Sequence, residues 1–293
     1  MAEWSLPRED LCLRVRGGPG GAGPGGAGVG SGGPGGAGST DRGAGVEAFR
    51  PPPHERPAGG LSGLRVRLRR FADLQFGSIW RDLERLLPQV EGTLVDVGAG
   101  AQPFRDLLSP TVRYIAVDID EAERRFGYRT AGTRYFHGDV LPVENGEANT
   151  VLCTETLEHV RGTAQFLGEL RRALAPGGLL VLTVPFAARW HFVPQDFWRF
   201  TPSGLEHLLT GAGFKDVRVY ARGGALAVAC YKVLGLIFLM LAGGGRRGIA
   251  DWLSRAVGIV LLPVGALAAV LGNAGIRVAG AAEDTLGYTV LAC

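Results

Sequence analysis

Leu94-Val95-Asp96-Val97-Gly98-Ala99-Gly100-Ala101-Gln102-Pro103-Phe104 decides the fold. The apolar residues Leu94, Val95 and Val97 predict a β-strand, and Asp96, Gly98 and Gly100 predict a sharp turn at its end. Glycine has no Cβ and tolerates positive φ, so backbone can approach a ligand closely there. At the carboxyl end of the first strand of an open α/β sheet, such a turn is where a nucleotide-like cofactor lies.

The strands beyond the turn distinguish between cofactors. Tyr114–Asp120 is a second apolar strand, and its Asp118 stands 18 residues past Gly100, placed to accept the two hydroxyls of a ribose. A dinucleotide fingerprint wants a third glycine where this chain has Pro103, so a pyrophosphate loses its close backbone approach. S-adenosylmethionine has no phosphate to cradle. A third strand from Tyr135 ends at Asp139, suited to an adenine amino group, and is followed by Val140. A fourth, from Val151, ends at Glu155-Thr156-Leu157-Glu158-His159. Leu170–Pro185 predicts a helix, a Pro176-Gly177-Gly178 stop and a fifth strand. A bare scaffold has no need of acid at three successive strand ends.

The ordered set Asp96-x-Gly98-x-Gly100, Asp118, Gly138-Asp139, Glu155-x-x-Glu158-His159 and Pro176-Gly177-Gly178 resembles the class I S-adenosylmethionine-dependent methyltransferases. The closer match is the bacterial group that modifies small molecules, quinones and glycans. The resemblance covers roughly residues 75–224 and 285–293. It implies an α/β fold: a Rossmann-like seven-stranded sheet with helices on both faces. It implies S-adenosyl-L-methionine as cofactor, held by Asp96, Gly98, Gly100, Asp118, Ile119, Asp139, Val140 and Glu155.

Composition narrows the partners. A formal charge of +3 over 293 residues gives no strong attraction to nucleic acid. Cys12, Cys153, Cys230 and Cys293 show neither paired nor metal-ligand spacing, which points to a reducing cytoplasmic setting and no metal site. Residues 1–60 are dominated by Gly, Ala and Pro from Gly17 to Gly45, so this segment is expected to be a disordered extension without a secretory signal. The catalytic domain is expected over 61–293. It opens with Leu64, Leu68, Phe71 and Leu74 at helical spacing, with Arg65, Arg67, Arg69 and Arg70 between them. This reads as a solvated helix packed beside the first strand, or as a basic helix facing anionic lipid.

The loop after the fifth strand, Phe186–Thr201, mixes Trp190, Phe192, Phe197 and Trp198 with His191, Asp196 and Arg199. Aromatic faces and polar groups together suit a ring-shaped polar acceptor. Among the families resembled, the pattern His191-x-x-Pro194-x-Asp196-x-x-Arg199-Phe200-Thr201 recurs in glycan- and lipid-associated members. His191 is the expected catalytic base, its ordinary pKa being nearest neutrality, and Asp196 orients it, anchors substrate or pairs with Arg199. Thr201 and Pro202 predict the start of a helix over 203–213.

Asp216–Ala221 predicts a sixth strand and Thr285–Ala292 a seventh. Between them, 225–282 forms a hydrophobic helical insert with apolar runs at 225–242 and 256–271, joined through Arg246-Arg247. Neither run comfortably spans a hydrocarbon core about 30 Å thick. A shallow hairpin on the cytoplasmic membrane, with Lys232 snorkelling, is one reading; a soluble lid or homodimer interface is the other. The expected function is O-methylation of a lipid-linked glycan or other membrane-proximal small acceptor. A polyprenyl-quinone or lipid-ring methyltransferase, or an inactive membrane-anchored cofactor-binding protein, would share most of these features.

Overall fold

A computed structural model describes residues 61–192, 195–242, 248–277 and 283–293. The readings placed on 1–60, Pro194 and Arg246-Arg247 lie outside the described residues. Two helices, α1 (Leu61–Ala72) and α2 (Leu74–Leu86), precede β1 (Thr93–Val97). The Asp73 carboxylate caps α2 by accepting the Phe76 N–H at 3.2 Å. Then come β2 (Arg113–Ile119), α3 (Ala122–Phe126), β3 (Thr133–Phe136), β4 (Ala148–Thr154), α4 (Thr163–Ala173) and β5 (Leu174–Pro185). The chain continues through α5 (Pro202–Gly211), β6 (Arg218–Ala221), α6 (Ala225–Ala242), α7 (Ile249–Val260), α8 (Leu262–Arg277) and β7 (Gly287–Ala292).

The seven strands form one sheet in the order β3-β2-β1-β4-β5-β7-β6. The first five are parallel, while β7 runs antiparallel to both β5 and β6. The expected α/β architecture, with an insert between the sixth and seventh strands, is the observed one. Period-2 alternation divides the core between the two faces. Val95 and Val97 join Val151, Leu182, Leu167 of α4 and Leu205 of α5 on one side. Leu94, Leu152 and Val181 meet Phe76, Ile79, Trp80 and Leu83 of α2 on the other.

Three local expectations change. Helix α1 turns Val66 inward and leaves Leu64, Leu68 and Phe71 exposed, the reverse of the face that the spacing suggests. Its neighbours are α2 and α8 rather than the first strand. Strand β5 begins at Leu174, ahead of Pro176-Gly177-Gly178, so these residues open the strand instead of separating it from the helix. The second apolar run is broken into α7 and α8, which meet at 54° near Leu261. Pro263 lies in the first turn of α8, where its missing N–H costs no helical hydrogen bond.

Cys153 and Cys230 are buried free thiols.

Candidate active site

The carboxyl ends of the parallel strands open onto a cavity of about 1120 Å³. Its floor is the β1 turn, Gly98 to Ala101, with Asp118 and Ile119 from β2. Gly98 has φ +74°, and a Cβ added there would lie 2.2 Å from Thr156 Oγ1, so the turn admits only glycine without rearrangement. Gly100, with φ +55°, donates its N–H to Asp118 Oδ2 at 2.9 Å, and the Ile119 N–H donates to Oδ1 at 2.8 Å. Burial pushes the Asp118 carboxyl upward against these two donors. An ionised carboxylate has about four acceptor positions, so capacity remains for a pair of hydroxyls.

Six carboxylates line the cavity: Asp73, Asp118, Asp120, Glu121, Asp139 and Glu155. The Asp118 carboxylate, with a glycine turn beside it, fits a hydroxyl-bearing group, and the ribose of S-adenosylmethionine has that chemistry. Asp118 would hold the ribose hydroxyls, Gly98 and Gly100 would admit its close approach, and Asp139 would face the adenine.

Two expected cofactor contacts are not in the cavity. Asp96 follows Leu94 in strand parity, so its side chain enters the α2 face of the sheet. There it is 2% exposed and accepts the Tyr114 hydroxyl at 2.6 Å, and burial raises its pKa to about 7. Val140 is 65% exposed and lies beyond the cavity rim, because β3 ends at Phe136 and the chain has already turned outward. Glu155 does line the cavity, at φ +46°, yet its oxygens are engaged by Arg222, Gln75 and Thr183. Residues that sequence reasoning left out of the site, Asp73, Tyr128 and Thr156, line it too. Asp73 was legible as a helix cap; Tyr128 carried no local signal.

The loop after β5 supplies the other end. His191 reaches the cavity, and its Nδ1 lies 2.9 Å from the Arg189 carbonyl and 3.0 Å from Asp196 Oδ2. Asp196 also accepts the His191 backbone N–H at 3.0 Å and a forked pair of bonds from Arg199 at 2.6 and 2.8 Å. Burial opposes ionisation of Asp196, but the Arg199 fork and His191 outweigh it and hold the carboxyl well below the usual range. Asp196 lies outside the main cavity, bonded to His191 and Arg199 within the loop.

His159 stands beside His191, with ring centroids 5.1 Å apart, and its Nδ1–H donates to the Gln195 carbonyl at 2.7 Å. Burial lowers its pKa to about 4, so the ring is neutral near pH 7. Phe126 and Phe192 pack edge-on at 5.1 Å and complete an aromatic wall around the two imidazoles. Trp190 and Trp198, expected as stacking platforms, instead lie 56% and 43% exposed, with their indole N–H groups donating to the Asp196 and Val160 carbonyls.

The remaining wall comes from the insert. Tyr231, Leu234, Gly235, Ile237, Phe238 and Leu241 of α6 line the same cavity. The Lys232 ammonium donates to the Ala187 carbonyl and ties α6 to the loop that carries His191.

A family model described as a methyltransferase domain matches residues 68–219. A Streptomyces fradiae protein described as an uncharacterized 37.1 kDa protein in transposon Tn4556 is 36% identical over 104 residues, covering 31% of this chain and 29% of its own length. A probable S-adenosylmethionine-dependent methyltransferase of Mycolicibacterium smegmatis is 29% identical over 96 residues, covering 31% of this chain and 37% of its own. The chain thus spans about a third of the length of these curated relatives. Among solved structures, a methyltransferase of Thermotoga maritima described as a possible histamine N-methyltransferase is 21% identical, covers 54% of this chain and 79% of that one, and superposes with a TM-score of 0.40.

Proposed function

The chain belongs to the class I S-adenosylmethionine-dependent methyltransferases through its methyltransferase domain, and on that premise we propose that it O-methylates a lipid-linked glycan or a similar membrane-borne acceptor. One observation carries this reading: α6 is at once a wall of the cavity and part of a broad apolar exterior. Leu236, Phe238 and Leu239 of α6 are about half exposed, and Trp252, Leu253, Val260, Leu262 and Leu267 of α7 and α8 extend the same character. Patches of that size on a soluble protein mark interaction surfaces. Among the described residues, α6 is the one unbroken helix long and apolar enough to cross a membrane, with 18 residues and a mean hydropathy of 2.3. The exposed Leu64, Leu68 and Phe71 of α1, flanked by Arg65 and Arg67, add an amphipathic basic helix that packs beside α8.

The chemistry divides between the two ends of the cavity. The cofactor supplies an electrophilic methyl group on a sulfonium. The chain's own residues hold the ribose through Asp118, exclude water with Phe126, Phe192 and Phe238, and take up the acceptor's proton through the imidazoles. His191, its Nδ1 side anchored by Arg189 and Asp196, presents Nε2 for that purpose. Holding acceptor and methyl at attack distance supplies much of the rate.

The acidic and aromatic lining also accommodates a polyprenyl-quinone or other lipid ring, with the apolar α6 wall taking its tail. Incubating the protein with methyl-labelled S-adenosylmethionine and separated lipid and aqueous extracts tests the reading. Label is expected in the organic phase on an ether oxygen; label confined to water-soluble products would sink it.

A further inference from the structure

We propose that Glu158, His159 and His191 form a binding site for one divalent first-row transition-metal ion at the acceptor end of the cavity. Each residue offers one ligand atom, and these atoms all lie within 4.8 Å of one another. Bonds of about 2.0–2.2 Å from nitrogen and carboxylate oxygen to such an ion place its ligands roughly 3–4 Å apart. A small inward movement of the side chains therefore closes the set.

The carboxylate is the independent pointer. Glu158 is 0% exposed, and neither of its side-chain oxygens has a hydrogen-bond partner. His159 Nε2 is 3.7 Å from Oε1, too far for a hydrogen bond. A buried carboxylate is normally paired, hydrogen-bonded or coordinated to a metal. The Arg199 guanidinium, which could have served, is committed to Asp196.

Both imidazoles are also arranged as ligands. His159 Nδ1 is held at 2.7 Å by the Gln195 carbonyl, and His191 Nδ1 by the Arg189 carbonyl and Asp196. An oxygen acceptor at Nδ1 fixes the proton there and leaves the Nε2 lone pair directed outward, the usual support of a metal-bound histidine. Because His159 and His191 line the cavity while Glu158 lies behind them, the open coordination positions face the acceptor. Two imidazoles and one carboxylate suit zinc, iron(II), cobalt or nickel. No cysteine takes part, so the cysteine spacing that argued against a metal has no bearing on this set.

An acceptor hydroxyl bound at the open position would release its proton to solvent closer to neutral pH, replacing a free His191 as base. That role rests on the proposed O-methyl transfer; the site itself does not.

The full-length chain, stripped with chelator, would be titrated with Co²⁺ as a spectroscopic probe and with Zn²⁺ by calorimetry, with no acceptor present. We expect one Co²⁺ per chain, visible d–d absorption, and two hyperfine-shifted imidazole N–H resonances from the two Nδ1 protons. Glu158→Gln and His159→Gln should each weaken binding at least tenfold. Unstoichiometric binding by the wild type, absent imidazole resonances, or unchanged affinity in folded Glu158→Gln would overturn the site. S-adenosylhomocysteine binding, measured separately, keeps the two readings apart. Its loss alongside intact Co²⁺ binding counts against the methyl-transfer assignment only, and its retention without Co²⁺ binding counts against the metal only.

Discussion

Arg222, just past β6, places Nη2 2.8 Å from Oε1 of Glu155 at the end of β4. The guanidinium is 1% exposed and also donates to the Val184 carbonyl at 2.9 Å. It passes through space that a side chain at Gly287 would fill, since a Cβ there would lie 2.3 Å from Arg222 Nη2. One buried arginine therefore joins the strand that leads into the insert to a carboxylate on the cavity wall.

Arg222→Met should cost about 3 kcal/mol of stability, the lower end of the range for leaving one member of a buried pair unmatched. Urea unfolding monitored by fluorescence measures it, and a midpoint unchanged from wild type would show that Glu155 is satisfied without the arginine.

Asp118→Asn should weaken S-adenosylhomocysteine binding by roughly 1.5–3 kcal/mol, the range for losing a charged hydrogen-bond partner. Calorimetry on the folded variant gives the value. Equal affinity would remove Asp118 from the cofactor's hydroxyls.

Asp96 gives an unusual pH dependence. Its folded pKa is raised to about 7, so between pH 4 and pH 7 the folded state binds more protons than the unfolded state. Stability should therefore fall as pH rises through that window. Asp96→Asn keeps an acceptor for the Tyr114 hydroxyl and should flatten this part of the curve, making the variant the more stable of the two at pH 8. Thermal melts from pH 4 to pH 8 decide the point; parallel curves would argue against a raised Asp96.

The exterior of the insert can be tested without touching the cavity. Trp252, Leu253 and Val260 are 71%, 61% and 75% exposed, and none of them lines it. Replacing all three with serine should abolish flotation with anionic vesicles while leaving S-adenosylhomocysteine affinity within twofold. Should the wild type stay out of the vesicle fraction and form a dimer that the triple variant loses, the patch is a subunit interface.

The sheet was legible because its signals are local: apolar runs, glycine turns and acids at successive strand ends each announce themselves within a few residues. Side-chain direction was less so. Asp96 reads as a site acid by position, but strand parity sends it to the α2 face, and only the register with β2 brings Tyr114 to it. The inner face of α1 could not be read from spacing, because its packing partner α8 lies about 200 residues downstream. Glu158 was read only as part of the set that follows the fourth strand; its isolation emerges from the tertiary structure, where residues 195–201 lie against it and the Phe197 N–H donates to the Glu158 carbonyl. Arg222 offered no pattern at all, being one arginine among many in a chain with only two lysines, Lys215 and Lys232.

Because β7 lies between β5 and β6, residues 287–292 complete a sheet whose other six strands have already been synthesised. As the chain leaves the ribosome, α6, α7 and α8 emerge before the strand that closes the fold. For that interval β5 and β6 have no partner along facing edges, and the apolar helices have no finished domain to rest on. Late, long-range strand pairing is slow and exposes sticky surface. The order of synthesis thus leaves the apolar insert exposed first and locks the sheet second, so folding yield depends on how long α6, α7 and α8 wait for that last strand.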